Sequence, residues 1–126
     1  MYLLKGGFVI FDDFRGPREW DVFAANMERV LPGTRFFDLT PTHPIFNSFF
    51  EIASIDDLPQ YRDRGPLVLR AVFEDNDPRQ RMMVMVNFNT DIANYWRYAA
   101  TGFKPIEESN EGYKLGVNYV VYGLTH

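Results

Sequence analysis

The 126-residue sequence contains no cysteine. This absence excludes disulfide bonds, thiolate nucleophiles and cysteine-ligated metal sites. Lysine is scarce, with only Lys5, Lys104 and Lys114, and the formal net charge is −4. We therefore expect no nucleic-acid binding, which requires a basic face. No apolar run approaches the roughly 20 residues of a membrane-spanning helix, and no signal peptide is recognisable. The expected compartment remains open between cytoplasm and periplasm.

Motifs for common enzyme classes are also missing. The sequence has no Gly-x-Gly-x-x-Gly or Walker-type loop, so nothing indicates a nucleotide cofactor. It has no Gly-x-Ser-x-Gly elbow, which argues against a serine hydrolase. We predict no cofactor. Aromatic residues, by contrast, make up 17% of the chain, and they predict a core built largely of rings, with an aromatic-lined pocket or contact surface as the alternative.

The apolar pattern predicts an α/β fold. Residues 8–11 (FVIF) form a short apolar run typical of a strand buried on both faces. Pro17 then opens a helix, and residues 35–39 form a second short strand. Two apolar runs, 67–73 and 81–89, flank an Asn-Asp-Pro turn and predict an antiparallel hairpin. The first helix is expected to bury Trp20, Phe23, Met27, Val30 and Leu31.

The remaining segments are less regular. Residues 49–53 are compatible with a brief strand, and residues 54–66 with a polar loop. A helix is predicted over 90–100, with Thr90 or Asp91 as N-cap. After a loop at 101–112, a final helix at 113–124 is expected to bury one apolar stripe, formed by Tyr113, Val117, Val120, Val121 and Leu124.

The first strand begins almost at the start of the chain. A parallel sheet needs neighbours on both sides of its central strands. We therefore expect residues 1–126 to be one domain that is the C-terminal portion of a larger α/β unit. Such a sheet would expose an edge, which predicts a homo-oligomer, a strand exchange or a longer polypeptide.

Four stretches together resemble the DUF4159 family of uncharacterised bacterial proteins: YLLKGGFVIFDDFRG (2–16), MERVLPG (27–33), THPIFNSFFEI (42–52) and LGVNYVVYGLTH (115–126). The resemblance implies a flavodoxin-like, class I glutamine amidotransferase-like sheet with helices on both faces, plus the hairpin. It also implies further residues before the Gly-Gly strand. In active amidotransferases the equivalent strand ends at a nucleophilic cysteine. Here it ends at Asp12 and Asp13, so glutaminase activity is not expected.

Asp12, Asp13 and His43 are the candidate catalytic residues. The two aspartates follow a strand, and the carboxyl ends of strands in open α/β sheets are where ligands bind. One aspartate is expected to cap the next helix or to bond loop amides while the other is solvated. The alternative is that one carboxylate lies at the floor of a pocket as a general base or hard-metal ligand. His43 either packs in its loop or acts as general acid or base beside Asp12 or Asp13. A metal held by all three is the disfavoured alternative, and we predict none.

Four further polar residues are candidate ligand-binding groups. Asn87, Asn89 and Asp91 alternate at the end of the hairpin, so on a strand they would share one face of the same pocket. The alternative is a strand end followed by a helix cap. Asn118, within the last helix, is expected to be either a buried structural amide or a group facing the pocket.

Two functions remain open. The favoured one is a non-catalytic module that binds an unknown small polar ligand or a protein partner. The alternative is an enzyme acting on a small polar substrate, conceivably a carbohydrate, through an Asp/His pair. A separation of about 4–6 Å between His43 and the Asp12 or Asp13 carboxylate would favour the enzyme.

Overall fold

The protein is described from a computed structural model that covers residues 2–59, 65–97, 101–102 and 106–126. It is an α/β structure with an open, mixed, four-stranded sheet. The strands are β1 (Val9–Phe14), β2 (Phe37–Asp38), β3 (Val68–Phe73) and β4 (Met82–Phe88), and the helices are α1 (Gly16–Val30), α2 (Ile92–Arg97) and α3 (Ile106–Thr125).

The sheet has the order β1-β4-β3-β2. β3 and β4 form the predicted antiparallel hairpin, which is confirmed. β1 pairs in parallel with β4, and the two-residue β2 pairs antiparallel with β3. Every residue of β4 is buried, whereas β1 is half-buried and lies at an edge of the sheet within the described residues. The prediction of a first strand buried on both faces is therefore wrong, because an edge strand under helices shows the same apolar run.

Helices cover both faces of the sheet. On one face α1 packs Phe23 and Met27 with the β4 residues Val84 and Val86. On the other face α3 packs with the core of β3 and β4. The predicted start of α1 beside Pro17 is confirmed. Val30, expected in the core, is instead 52% exposed.

The predicted buried stripe of the last helix is wrong. α3 begins at Ile106, seven residues earlier than predicted, and it buries Leu115, Tyr119 and Tyr122. The expected stripe lies largely on the outer face. Glycine decides the orientation, because a Cβ at Gly116 would stand 2.5 Å from the Trp96 ring, so only glycine allows this approach of α2. Periodicity alone could not decide between two apolar faces.

Several smaller predictions concern loops. Residues 49–53 contain no strand; their backbone is instead held by Asn118 of α3. The loop predicted at 54–66 and the helix predicted at 90–100 are confirmed as far as they are described, since residues 60–64 and 98–100 lie outside the described residues. Within the described ranges, no helix combines the length and apolarity required to cross a membrane.

Candidate functional site

Asp12 links the end of β1 to the start of α2. Its Oδ1 accepts hydrogen bonds from the Ile92 N–H at 3.1 Å and from the Asn87 side-chain amide at 3.0 Å. Its Oδ2 accepts from the Ala93 N–H at 2.8 Å. These are amides of the first turn of α2, which have no partner within the helix. Asp12 therefore caps a helix about 80 positions further along the chain rather than the helix that follows it.

Asn89 caps the start of α1 in the same way. Its Oδ1 accepts from the Gly16 N–H at 3.0 Å, and its Nδ2 donates to the Pro66 carbonyl at 2.8 Å. A polar residue near the end of each strand, Asp12 within β1 and Asn89 just after β4, thus caps the helix that follows the neighbouring strand. Asn87 and Asn89 do not share a pocket face as predicted, because β4 ends at Phe88 and Asn89 has a φ of +62°.

Asp13 occupies an irregularity in the pairing of β1 with β4. Its φ of +59° lies in the left-handed region, which aspartate tolerates better than most residues. The residue is exposed, and its backbone N–H donates to the Thr90 carbonyl at 3.1 Å. The backbone turn, rather than strand alternation, separates Asp13 from Asp12.

A buried hydrogen-bonded chain leads inward from Asp12. The Tyr119 hydroxyl donates to Asn87 Oδ1 at 2.6 Å, and the Asn87 amide donates to Asp12. Tyr119 and Asn87 are fully buried. Burial raises the pKa of Asp12 above its usual range, against the lowering effect of its hydrogen bonds from Ala93, Asn87 and Ile92. Burial, together with the nearby Asp12 charge, also raises the pKa of the Tyr119 hydroxyl.

We expect Asp12 to titrate above the usual aspartate value of about 3.9. Its raised folded-state pKa favours the protonated form, so its contribution to stability is greatest below about pH 4 and is lost as pH rises through the folded pKa. Carboxyl-carbon NMR on the intact protein measures the midpoint. Asp77 is the internal control, since its hydrogen bonds with Arg79 lower the pKa of Asp77 to about 2. A midpoint for Asp12 at or below the usual value would contradict the expectation.

His43 lies at the opposite end of the sheet. Its Nδ1 accepts from the Ile45 N–H at 3.1 Å, which caps a short 3-10 turn at Pro44–Asn47. Its ring centroid lies 5.7 Å from that of Tyr122, whose hydroxyl accepts from the N–H of Met82 at the start of β4. Burial, with a smaller effect of His126, lowers the pKa of His43.

The predicted meeting of His43 with Asp12 is therefore wrong. Asp12 contacts Asn87 near the end of β4, and His43 neighbours the residue that bonds Met82 at its start. Asn87 and Met82 are five residues apart on β4, which at about 3.3 Å per residue is about 16 Å. This separation is well beyond the range of a direct proton transfer. Asp13 leaves the same strand end as Asp12, so it offers His43 no closer partner.

The other two candidate ligand-binding residues contact backbone. Asp91 Oδ1 accepts from the Asn94 N–H at 3.0 Å, so Asp91 is the N-cap of α2, one of the two predicted caps. Asn118 Oδ1 accepts from the N–H groups of Phe49 and Phe50, and its Nδ2 donates to the Phe50 carbonyl. Asn118 is fully buried, which agrees with the structural alternative.

An open groove of about 610 Å³ lies between β1 and α1. The lining is mostly apolar, and its charged residues are Asp12 on the strand and Arg18 and Glu19 on the helix. The full set of lining residues is Phe11, Asp12, Phe14, Arg18, Glu19, Val22 and Phe23. We refer to this surface as the β1–α1 groove. Asp12 is the only candidate catalytic or binding residue among its lining residues.

Sequence reasoning missed Val22 and Tyr119. Val22 is an apolar residue on the otherwise polar side of α1 and is 58% exposed; its position off the core stripe was the available signal. Tyr119 was hidden in an apolar run, and nothing in the sequence indicated that its hydroxyl would meet Asn87. Among the described residues, no three His, Asp or Glu side chains are grouped to hold a metal ion.

Comparison with known protein families identifies the family of this chain. Residues 1–124 match the family described as Domain of unknown function (DUF4159), so the chain belongs to that family. No curated protein matches the chain.

Proposed function

We propose that this DUF4159 domain is a non-catalytic binding module whose ligand site is the β1–α1 groove. The main support for this proposal is the hydrogen bonding of the Asp12 side chain. Both of its carboxylate oxygens accept hydrogen bonds from α2 or Asn87, so its carboxylate is engaged in holding α2 at β1 and is not held ready for proton transfer. His43 is too distant to complete an acid–base pair.

The groove lining favours a protein segment over a small polar ligand. Three aromatic rings and Val22 form most of its surface, with Arg18 and Glu19 as the charged groups on the helix. Ligand sites of this kind bind through apolar contact, with a few polar groups fixing orientation. β1 is also a sheet edge within the described residues, and an extended segment gains main-chain hydrogen bonds at such an edge.

We also propose that the fold is related to the class I glutamine amidotransferase-like, flavodoxin-like group. The support is the parallel β1–β4 pair, the helix that directly follows β1, and the placement of helices on both faces. Fold similarity carries no activity by itself, and the chain has no cysteine to supply a glutaminase nucleophile.

Site-specific photo-crosslinking in cells of the source organism tests the binding site. A benzophenone amino acid at Val22, in the groove, is compared with one at Val30. Both valines are exposed on α1, at 58% and 52%, but Val30 is outside the groove lining. We expect a discrete protein adduct at Val22 that is absent at Val30. Equal labelling at both positions, or no adduct at Val22, would contradict the proposal.

A further inference from the structure

The outer face of α3 carries a second apolar stripe that the described residues leave exposed. Ile106, Tyr113, Val120 and Leu124 are 73%, 51%, 60% and 82% exposed, and Val117 between them is partly exposed. Leu115, Tyr119 and Tyr122 form the core face of the same helix. α3 is therefore apolar on two sides, and within the described part of the chain only one of them packs in the core.

The spacing of the outer residues is that of a helix-packing seam. With the exposed Asn110 included, the members are Ile106, Asn110, Tyr113, Val117, Val120 and Leu124, separated by alternating steps of four and three. This is the a/d spacing by which one helix packs on another, knobs into holes. The seam runs for about 27 Å at 1.5 Å per residue. We call it the α3 seam.

The α3 seam matches itself when reversed. Its steps are four, three, four, three and four in either direction, so two antiparallel copies bring all layers into register. Ile106 would meet Leu124 of the partner subunit, and Tyr113 would meet Val117 of the partner subunit. A two-fold interface requires this kind of self-complementary patch.

The charges favour the antiparallel arrangement. Glu107, Glu108 and Glu111 lie in the first turns of α3, whereas residues 115–125 contain no Asp, Glu, Lys or Arg. Parallel copies would place the acidic turns side by side and align the two helix dipoles, and both effects are unfavourable. Antiparallel copies place each acidic end against an uncharged end. Lys114, near the middle, is paired with Glu111 at 2.7 Å.

We propose that this chain forms a two-fold dimer in which the α3 seams of two copies pack antiparallel. The proposal is independent of the β1–α1 groove, which lies on α1 and β1. One helix pair is a small interface, and Asn110 places a polar group in an otherwise apolar seam. We therefore expect a reversible dimer with a dissociation constant on the order of 1–100 µM.

Sedimentation equilibrium over a hundredfold concentration range tests the assembly. We expect a monomer–dimer equilibrium for the wild type and a monomer for Val120→Lys. The matched control is Val30→Lys, which adds the same charge at a similarly exposed valine of α1 and should remain dimeric. Circular dichroism verifies that both variants are folded. A monomeric wild type, or a dimer that survives Val120→Lys, would overturn the proposal.

Disulfide trapping tests the direction of packing, because the chain has no native cysteine. Ile106→Cys and Leu124→Cys are made as separate variants. In antiparallel packing, a mixture of the two forms a crosslinked heterodimer, while neither variant crosslinks alone. Efficient crosslinking of Ile106→Cys with itself would indicate parallel packing and overturn the proposed register.

Discussion

Replacing Asn87 by alanine is expected to destabilise the fold by about 2–4 kcal/mol. Asn87 is fully buried and bonds both Tyr119 and Asp12. Its removal leaves the Tyr119 hydroxyl without an acceptor in the core, which costs about 1–3 kcal/mol, and the cavity adds to this cost. Urea unfolding measures the change as a lower midpoint at an unchanged slope.

A double-mutant cycle isolates the hydrogen bond. Tyr119→Phe removes the hydroxyl but retains the ring, and the double variant Asn87→Ala/Tyr119→Phe leaves no orphaned hydroxyl. We expect the two losses to be non-additive by about 1 kcal/mol or more. The exposed Asn26→Ala is the control and should change stability by less than about 0.5 kcal/mol. Additive losses would show that the buried chain carries no coupling.

Asn87→Ala should also raise the pKa of Asp12 further, since the hydrogen bond from Asn87 lowers the Asp12 pKa in the wild type. Carboxyl-carbon NMR separates this effect from general destabilisation, because a structural cavity remote from Asp12 would leave its midpoint unchanged. An unaltered Asp12 midpoint in a folded Asn87→Ala protein would show that the hydrogen bond from Asn87 does not influence the pKa of Asp12.

The sequence carried enough information for the hairpin and for α1. Both depend on local signals, an Asn-Asp-Pro turn between apolar runs and a proline before a helical apolar pattern. The family was also recognisable, from four stretches spread over the chain. The orientation of α3 could not be predicted from the sequence, because both faces of the helix are apolar. Which face packs in the core depends on the contact of Gly116 with Trp96.

The candidate site was predictable as a position but not as an arrangement. The strand end at Asp12 does border a groove. Its hydrogen-bond partners, Ile92 and Ala93, are about 80 positions away in sequence, and no local pattern indicates which helix a carboxylate will cap. His43 failed as its partner for the same reason, since chain order does not say at which end of a strand a loop packs.

Asn118→Ala is expected to cost about 2–3 kcal/mol and to release one segment selectively. The side chain holds the N–H groups of Phe49 and Phe50 at 3.1 and 2.8 Å and bonds the Phe50 carbonyl at 2.8 Å. Each of these backbone groups loses its side-chain partner, at about 1 kcal/mol apiece. Since the lost bonds are confined to this segment, hydrogen exchange should accelerate most at Phe49 and Phe50.

The matched control is Asn110→Ala, at an exposed position of the same helix. It makes the same chemical change without these backbone contacts, and alanine has the higher helix propensity, so its stability should be unchanged or slightly higher. Hydrogen exchange that accelerates uniformly in Asn118→Ala would indicate global destabilisation only. Retention of protection at Phe49 and Phe50 would show that the segment is held by its apolar contacts. Selective loss would establish Asn118 as the residue that fixes this segment on α3, with both acceptor positions of its amide oxygen occupied by the segment.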